Sequence, residues 1–253
     1  MQFFSLPGLT PYDEASALQR RLVDLRARDE IEDTVLFLEH PAVITRGRGL
    51  QFVRLGSGEP RERQMPLPAQ LTPGVQFAET ERGGDLTYHG PGQLVIYPIF
   101  KLDGRGFGPE HDVSGFLRRI EQLLIDELES LHVQGETREN ATGVWVKDSE
   151  GADRKVASIG IAVRKWVTWH GMAINVVNDL RPFKLISPCG FPPEVMTRLS
   201  DLLPEAAIPA RNWRSWLERR LAQRFLDSTG VDREAEIISS LPDLQEGSAA
   251  LFS

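Results

Sequence analysis

The residue in this 253-residue chain best suited to covalent chemistry is its single cysteine, Cys189, in the run Ile186-Ser187-Pro188-Cys189-Gly190-Phe191-Pro192. A thiol between proline and glycine sits on constrained backbone, and with no second cysteine to trap it as a disulfide it can serve as a nucleophile in acyl transfer. A lone cysteine is more often an inert, buried hydrophobe, so its companions decide the matter. Two further glycine-punctuated clusters stand out: Arg82-Gly83-Gly84-Asp85-Leu86-Thr87-Tyr88-His89-Gly90-Pro91-Gly92-Gln93, and Lys155-Val156-Ala157-Ser158-Ile159-Gly160 followed by His170-Gly171-Met172-Ala173-Ile174-Asn175. The sequence has no Gly-x-x-x-x-Gly-Lys phosphate loop, no Gly-x-Ser-x-Gly elbow and no paired histidines or cysteines at metal-binding spacing. One cysteine and five scattered histidines argue against a structural zinc site.

The elements that must position these clusters read as α+β, a single domain with helices packed on a mostly antiparallel sheet. Thr10-Pro11-Tyr12-Asp13 has the form of a helix start, with Thr10 as N-cap and Pro11 at the first helical position, and Ala15, Leu18, Leu22 and Leu25 mark one face up to about Arg28. Val35 to Leu38 suits a buried strand closed by His40-Pro41, and Gly47 to Gly74 reads as an irregular excursion. Leu86 to His89 and Leu94 to Phe100 are expected as strands on either side of a turn at His89-Gly90-Pro91-Gly92. Phe116, Leu117, Ile120, Leu123, Leu124, Leu128 and Leu131 give the clearest amphipathic helix. Val144 to Val146, Val156 to Trp166 and Val167 to Val176 form a meander of strands, after which Pro192 to Leu203 and about 211–228 read as helices. Residues 231–253 are expected as a loosely held tail, leaving 1–230 as the working domain.

Composition narrows the classes. A net charge of −7 argues against a general nucleic-acid binder, although Arg46, Arg48, Arg54, Arg61 and Arg63 could form a local basic rim. No apolar stretch approaches the roughly 20 residues of a membrane span, the start lacks a basic, then apolar, leader pattern, and one cysteine suits a reducing compartment. A cytoplasmic protein without membrane or nucleic-acid partners is the expectation.

Together the ordered clusters, from about Thr34 to about Leu202, resemble the lipoyl(octanoyl) transferase family, the octanoyl-[acyl carrier protein]:protein N-octanoyltransferases. The resemblance implies the fold of the biotin/lipoate protein ligase catalytic domain. It also implies a thiol nucleophile at Cys189 and a catalytic lysine at Lys155, the head of the Lys-x-x-Ser-x-Gly motif. A free thiol is only a few per cent ionised at neutral pH, and a neighbouring ammonium would raise that fraction. Arg82, Gly83, Gly84, Asp85, Leu86, Thr87, Tyr88 and His89, with Ser158, Ile159 and Gly160 and with Gly171, Met172 and Ala173, are implied to line the acyl pocket. For Arg82 the alternative is a structural ion pair, for His89 a role in fixing the turn, and Asn175 is expected to satisfy backbone.

The implied reaction moves octanoyl from octanoyl-acyl carrier protein, through a Cys189 thioester, to a lysine of lipoyl domains of 2-oxoacid dehydrogenase complexes and of glycine cleavage H protein. Its donor is already activated, so no cofactor or metal is required. Two alternatives stand beside it: an ATP-dependent lipoate or biotin protein ligase, which Thr45-Arg46-Gly47-Arg48-Gly49 superficially resembles, and a noncatalytic acyl-binding protein.

Overall fold

Thr34–Glu39 and Gln93–Ile99 are apolar at most positions, as strands covered on both faces must be. In the computed structural model, which describes residues 1–48, 74–108, 110–139, 141–186, 191–204 and 207–239, they lie at the heart of a mixed sheet. The strands are β1 (Gln2–Leu9), β2 (Thr34–Glu39), β3 (Val43–Arg46), β4 (Gln76–Glu79), β5 (Leu86–His89), β6 (Gln93–Ile99), β7 (Gly135–Glu136), β8 (Gly143–Lys147), β9 (Asp153–Arg164), β10 (Val167–Asn175) and β11 (Ile237–Ile238). The helices are α1 (Tyr12–Ala27), α2 (Val113–Ser130), α3 (Leu199–Leu202) and α4 (Trp213–Asp227). Eight strands pair in the order β11-β1-β2-β6-β10-β9-β8-β7, and β4-β3-β5 form a second, small sheet.

Alternation divides the large sheet's side chains between two cores. Val35, Phe37, Leu94, Ile96, Met172 and Ile174 face a core filled by Phe116, Ile120 and Leu124 of α2 and Leu217, Leu221 and Phe225 of α4. Leu36, Leu38, Val95, Tyr97 and Ala173 face the opposite way, against Ala15, Leu22 and Val23 of α1. The α+β architecture of one domain is as the sequence suggested.

Several elements differ from expectation. Helix α1 begins at Tyr12 with Pro11 at the cap position and no side-chain cap, so Thr10 does not serve as N-cap. Strands β5 and β6 do flank the His89-Gly90-Pro91-Gly92 turn, but they lie in different sheets: the turn hands the chain from one to the other rather than closing a hairpin. The helix expected over Pro192 to Leu203 is broken into a 3-10 turn at Pro193–Val195 and the one-turn α3, because Met196 between them is extended and bridges to Lys155. The tail is tied down at Ile237 and Ile238, which pair in parallel with Phe3 and Phe4 of β1. Of the basic rim, Arg46 pairs with Glu79 and Arg48 reaches Glu81 at 3.9 Å, while Arg54, Arg61 and Arg63 lie outside the described residues. Among the described residues no helix is long and apolar enough to cross a membrane.

Candidate active site

The small sheet and the loop before β5 face β9 and β10 across a cleft of roughly 450 Å³, counting its mouth. Of the residues expected to line a pocket, Arg82, Gly84, Thr87, His89, Ser158, Ile159, Gly160, Gly171, Met172 and Ala173 do so. Leu86 and Tyr88 do not. Alternation along β5 sends Thr87 and His89 into the cleft, and Leu86 and Tyr88 into a third core with Ile44, Phe183, Ile186 and Met196.

Gly83 and Asp85 serve the wall rather than the lining. The Gly83 amide donates to the Ile161 carbonyl at 2.8 Å, docking the loop on β9. A Cβ on Gly160 would sit 2.8 Å from the Gly83 carbonyl oxygen, an approach only glycine permits. Asp85 is buried, and its carbonyl accepts from Arg82 Nη2 at 2.7 Å. The same Nη2 reaches the Thr45 carbonyl at 2.9 Å and Thr45 Oγ1 at 2.8 Å, and Arg82 Nη1 reaches the Gly83 carbonyl at 3.0 Å. Arg82 therefore holds β3 and the loop together while its flank lines the cleft.

Tyr12, Val95, Tyr97 and His170 also line the cleft and were not foreseen. Here the hydrogen bonds fix protonation. His40 Nδ1 is 2.6 Å from the Thr10 carbonyl oxygen and so donates to it. Burial pushes His40 down to about 4, so the ring is neutral and its Nε2 accepts from the Tyr97 hydroxyl at 2.8 Å. Burial likewise holds the Tyr97 phenol well above its ordinary value. Gln93 Nε2 donates to Asn175 Oδ1 at 2.9 Å and to the Tyr88 carbonyl at 3.2 Å, which turns Gln93 Oε1 towards His89 Nδ1–H at 2.7 Å. Burial above all lowers His89 to about 3, so its Nε2 keeps a lone pair. Asn175 Nδ2 donates to the Thr197 carbonyl, in line with its expected backbone role.

His170 occupies the left-handed region, φ 56°, in the middle of β10, where an ordinary residue is strained. Gln19 Oε1 accepts its backbone N–H at 2.7 Å, its ring stacks on Trp169 with centroids 4.1 Å apart, and Nε2 lies 3.1 Å from Thr80 Oγ1. Burial, then the charge of Arg82, lowers it to about 3.

Lys155 stands beyond the lining, three residues before Ser158. In a regular strand an odd spacing puts two side chains on opposite faces. The register between β8 and β9 shifts, however: Ala157 pairs with Val144 and Lys155 with Trp145, leaving Val156 as an extra residue. This bulge returns Lys155 to the face of Ser158, a re-aiming that bulges near active sites commonly perform. Lys155 is 2% exposed, its Nζ donates to the Thr142 carbonyl at 2.7 Å, and it lies 5.4 Å from the centroid of the Trp145 ring. The Phe191 ring meets the same tryptophan edge-on at 5.1 Å, and the Thr197 amide donates to the Lys155 carbonyl at 3.0 Å. Cys189 lies outside the described residues. Among the described residues no group of three or more histidines, cysteines or carboxylates could hold a metal ion.

Comparison with known proteins bears on this geometry. Residues 11–216 match the family described as the lipoyl protein ligase A/B catalytic domain. An octanoyltransferase of Geobacter sulfurreducens is 46% identical over 189 residues, 75% of this chain and 70% of that protein. One from Acidothermus cellulolyticus is 41% identical over 233 residues, 92% of this chain and 96% of that protein. The fold is similar to a bipartite lipoate protein ligase from Thermoplasma acidophilum, with a TM-score of 0.60 and 14% identity, covering 95% of this chain and 88% of that one.

Proposed function

The chain belongs to the lipoyl protein ligase A/B catalytic-domain family and is an acyltransferase akin to its octanoyltransferases, and from that premise we propose that it carries octanoyl from octanoyl-acyl carrier protein to a lipoyl-domain lysine through a thioester on Cys189. The observation that carries this reading is Lys155: a cation sequestered from water, aimed by a bulge onto the cleft's face and resting over Trp145. Phe191, two residues beyond Cys189, packs on that tryptophan, and two residues of chain span at most about 7 Å.

The Cys189 thiolate, favoured by the Lys155 ammonium, attacks the thioester carbonyl carbon. The bond from that carbon to the carrier sulfur breaks, and the departing thiolate takes a proton from Lys155. In the second half the free ε-amine of the acceptor lysine attacks the Cys189 thioester. An amide forms, the bond to Cys189 sulfur breaks, and the proton shed by nitrogen returns through Lys155 to the thiol. Atoms balance without ATP, metal or organic cofactor. The acyl chain lies in the cleft among Val95, Ile159, Met172 and Ala173, against rings that carry no charge at neutral pH. Arg82, Gly84, Thr87 and His89, with Ser158–Gly160 and Gly171–Ala173, surround it, with acceptors drawn from lipoyl domains of 2-oxoacid dehydrogenase complexes and glycine cleavage H protein, in the cytoplasm.

The test is intact mass. Incubated with octanoyl carrier alone, the protein should gain one octanoyl group at Cys189, and lose it to an added lipoyl domain. An unmodified thiol under rapid quench, with transfer still proceeding, would remove the covalent route. Acylation of the acceptor from free octanoate and ATP, surviving Cys189→Ala, would favour a ligase instead.

A further inference from the structure

Helix α2 buries two carboxylates among apolar side chains, Glu127, which Arg220 and Arg224 neutralise, and Glu121. Glu121 is 8% exposed and lies beside Ile120, Leu124 and Ile125, where an acidic group is costly unless it has a partner that needs it. Its partner is a backbone amide: Glu121 Oε1 accepts from the Gly143 N–H at 2.9 Å. The carbonyl of that same peptide group, Thr142 O, is the one to which Lys155 Nζ donates at 2.7 Å. Gly143 adopts φ 129°, and a Cβ there would sit 2.4 Å from the Ala157 carbonyl oxygen and 2.6 Å from Lys155 Cε, so only glycine lets this peptide pass so close.

We propose that Glu121 is a positioning residue for Lys155, acting through the Thr142–Gly143 peptide; this rests on the catalytic role given to Lys155 above. A peptide unit is planar, so fixing the direction of its N–H fixes that of its C=O. A carboxylate on the N–H and an ammonium on the C=O polarise the unit in the same sense, and each bond strengthens the other. Glu121 thereby holds the lysine's acceptor in place and favours the ammonium form, although it touches neither substrate nor thiol. A tie between α2 and the start of β8 alone would explain the Gly143 bond, but not why the same peptide serves Lys155.

The experiment uses the full chain, whose single cysteine makes thiol alkylation a direct readout. The rate of iodoacetamide reaction at Cys189 is followed against pH, with kcat/KM for octanoyl transfer, for Glu121→Leu, Glu121→Gln and Lys155→Met. Leucine removes acceptor and charge: the alkylation midpoint should rise by about one pH unit and kcat/KM fall about tenfold, the scale of one lost charged hydrogen bond. Glutamine keeps an acceptor for Gly143 and loses only the charge, so both changes should have the same sign and about a third of the size. A Glu121→Leu protein with the native midpoint and native kcat/KM per folded molecule overturns the proposal, whatever its Tm. Should that variant not fold, Glu121→Gln decides alone, and an unmoved midpoint overturns it. Lys155→Met separates the two claims. If it moves the midpoint and the Glu121 variants do not, only Glu121 is wrong; if it leaves the midpoint native, the lysine–thiol pairing fails and Glu121 falls with it.

Discussion

The two ends of this region, the ring-lined cleft and the lysine site beyond its lining, are both largely buried, yet they are built in opposite ways. At one end Tyr12, Tyr97, His89 and His170, backed by His40, form a nest of rings kept neutral by burial, with tautomers set by the Thr10 carbonyl and by Gln93. At the other, the Thr142 carbonyl holds buried Lys155 over the Trp145 ring, which Arg138 also approaches, to 4.9 Å. The rings of the first offer uncharged surface to an acyl chain, with the Arg82 guanidinium turned to backbone carbonyls, and the second suits charge that develops during reaction. Changes at the lysine end should therefore cost activity more than stability, and changes at the ring end the reverse.

The largest effect expected is that of Lys155→Met. Removing the proposed acid–base group should lower octanoyl transfer about 10²- to 10⁴-fold. Methionine fills much of the same volume without a cation to desolvate, so Tm should move by only a few degrees. Steady-state kinetics beside calorimetry tests this, and a collapsed Tm with activity tracking the folded fraction would make Lys155 a structural residue and erase the contrast.

The ring end makes its own prediction in acid. His40, His89 and His170 titrate at about 4, 3 and 3 in the folded protein against 6.5 as free side chains. Between those values the unfolded chain binds more protons than the folded one, so this contribution to stability is fully present above about pH 6.5 and is lost progressively as pH falls towards about 3. Tm should already decline between pH 6.5 and 5, above the range in which ordinary carboxylates titrate. A flat Tm over that interval would show that these histidines are not buried as neutral rings.

What the sequence disclosed of this site follows from what one-dimensional patterns can carry. The glycine-rich clusters were legible because close backbone approach demands glycine at sites such as Gly160. The strands of the meander and the helix with Phe116 and Ile120 were legible from periodicity. The bulge was not: Lys155 and Ser158 share a face only because Val156 is squeezed out of register against β8, a property of two strands together. Tyr97 was hidden in an apolar run where it reads as core, and His170 in a strand whose left-handed backbone no propensity scale reports. Tyr12 carried the one usable signal, a large amphipathic ring directly after the proline that starts α1. Strands β1, β3 and β4 escaped because Pro7 and Gly8 interrupt the first and the other two border the glycine- and proline-rich stretch from Gly47 to Gly74.

The smallest change sharpens the contrast most. Tyr97→Phe removes one hydroxyl and leaves the ring, so the cleft keeps its shape while His40 Nε2 loses the donor at 2.8 Å. The tautomer cannot adjust, because Nδ1–H is committed to the Thr10 carbonyl and burial opposes protonation of the second nitrogen. A buried acceptor without a donor costs about 1–3 kcal/mol, and the lower part of that range is expected where a water can enter from the cleft. Denaturant unfolding should show the loss as a lower midpoint with unchanged slope, while KM for the octanoyl donor stays within about twofold. A large rise in KM with native stability would mean that the hydroxyl contacts substrate, and the ring end would then be a recognition surface rather than a neutral lining.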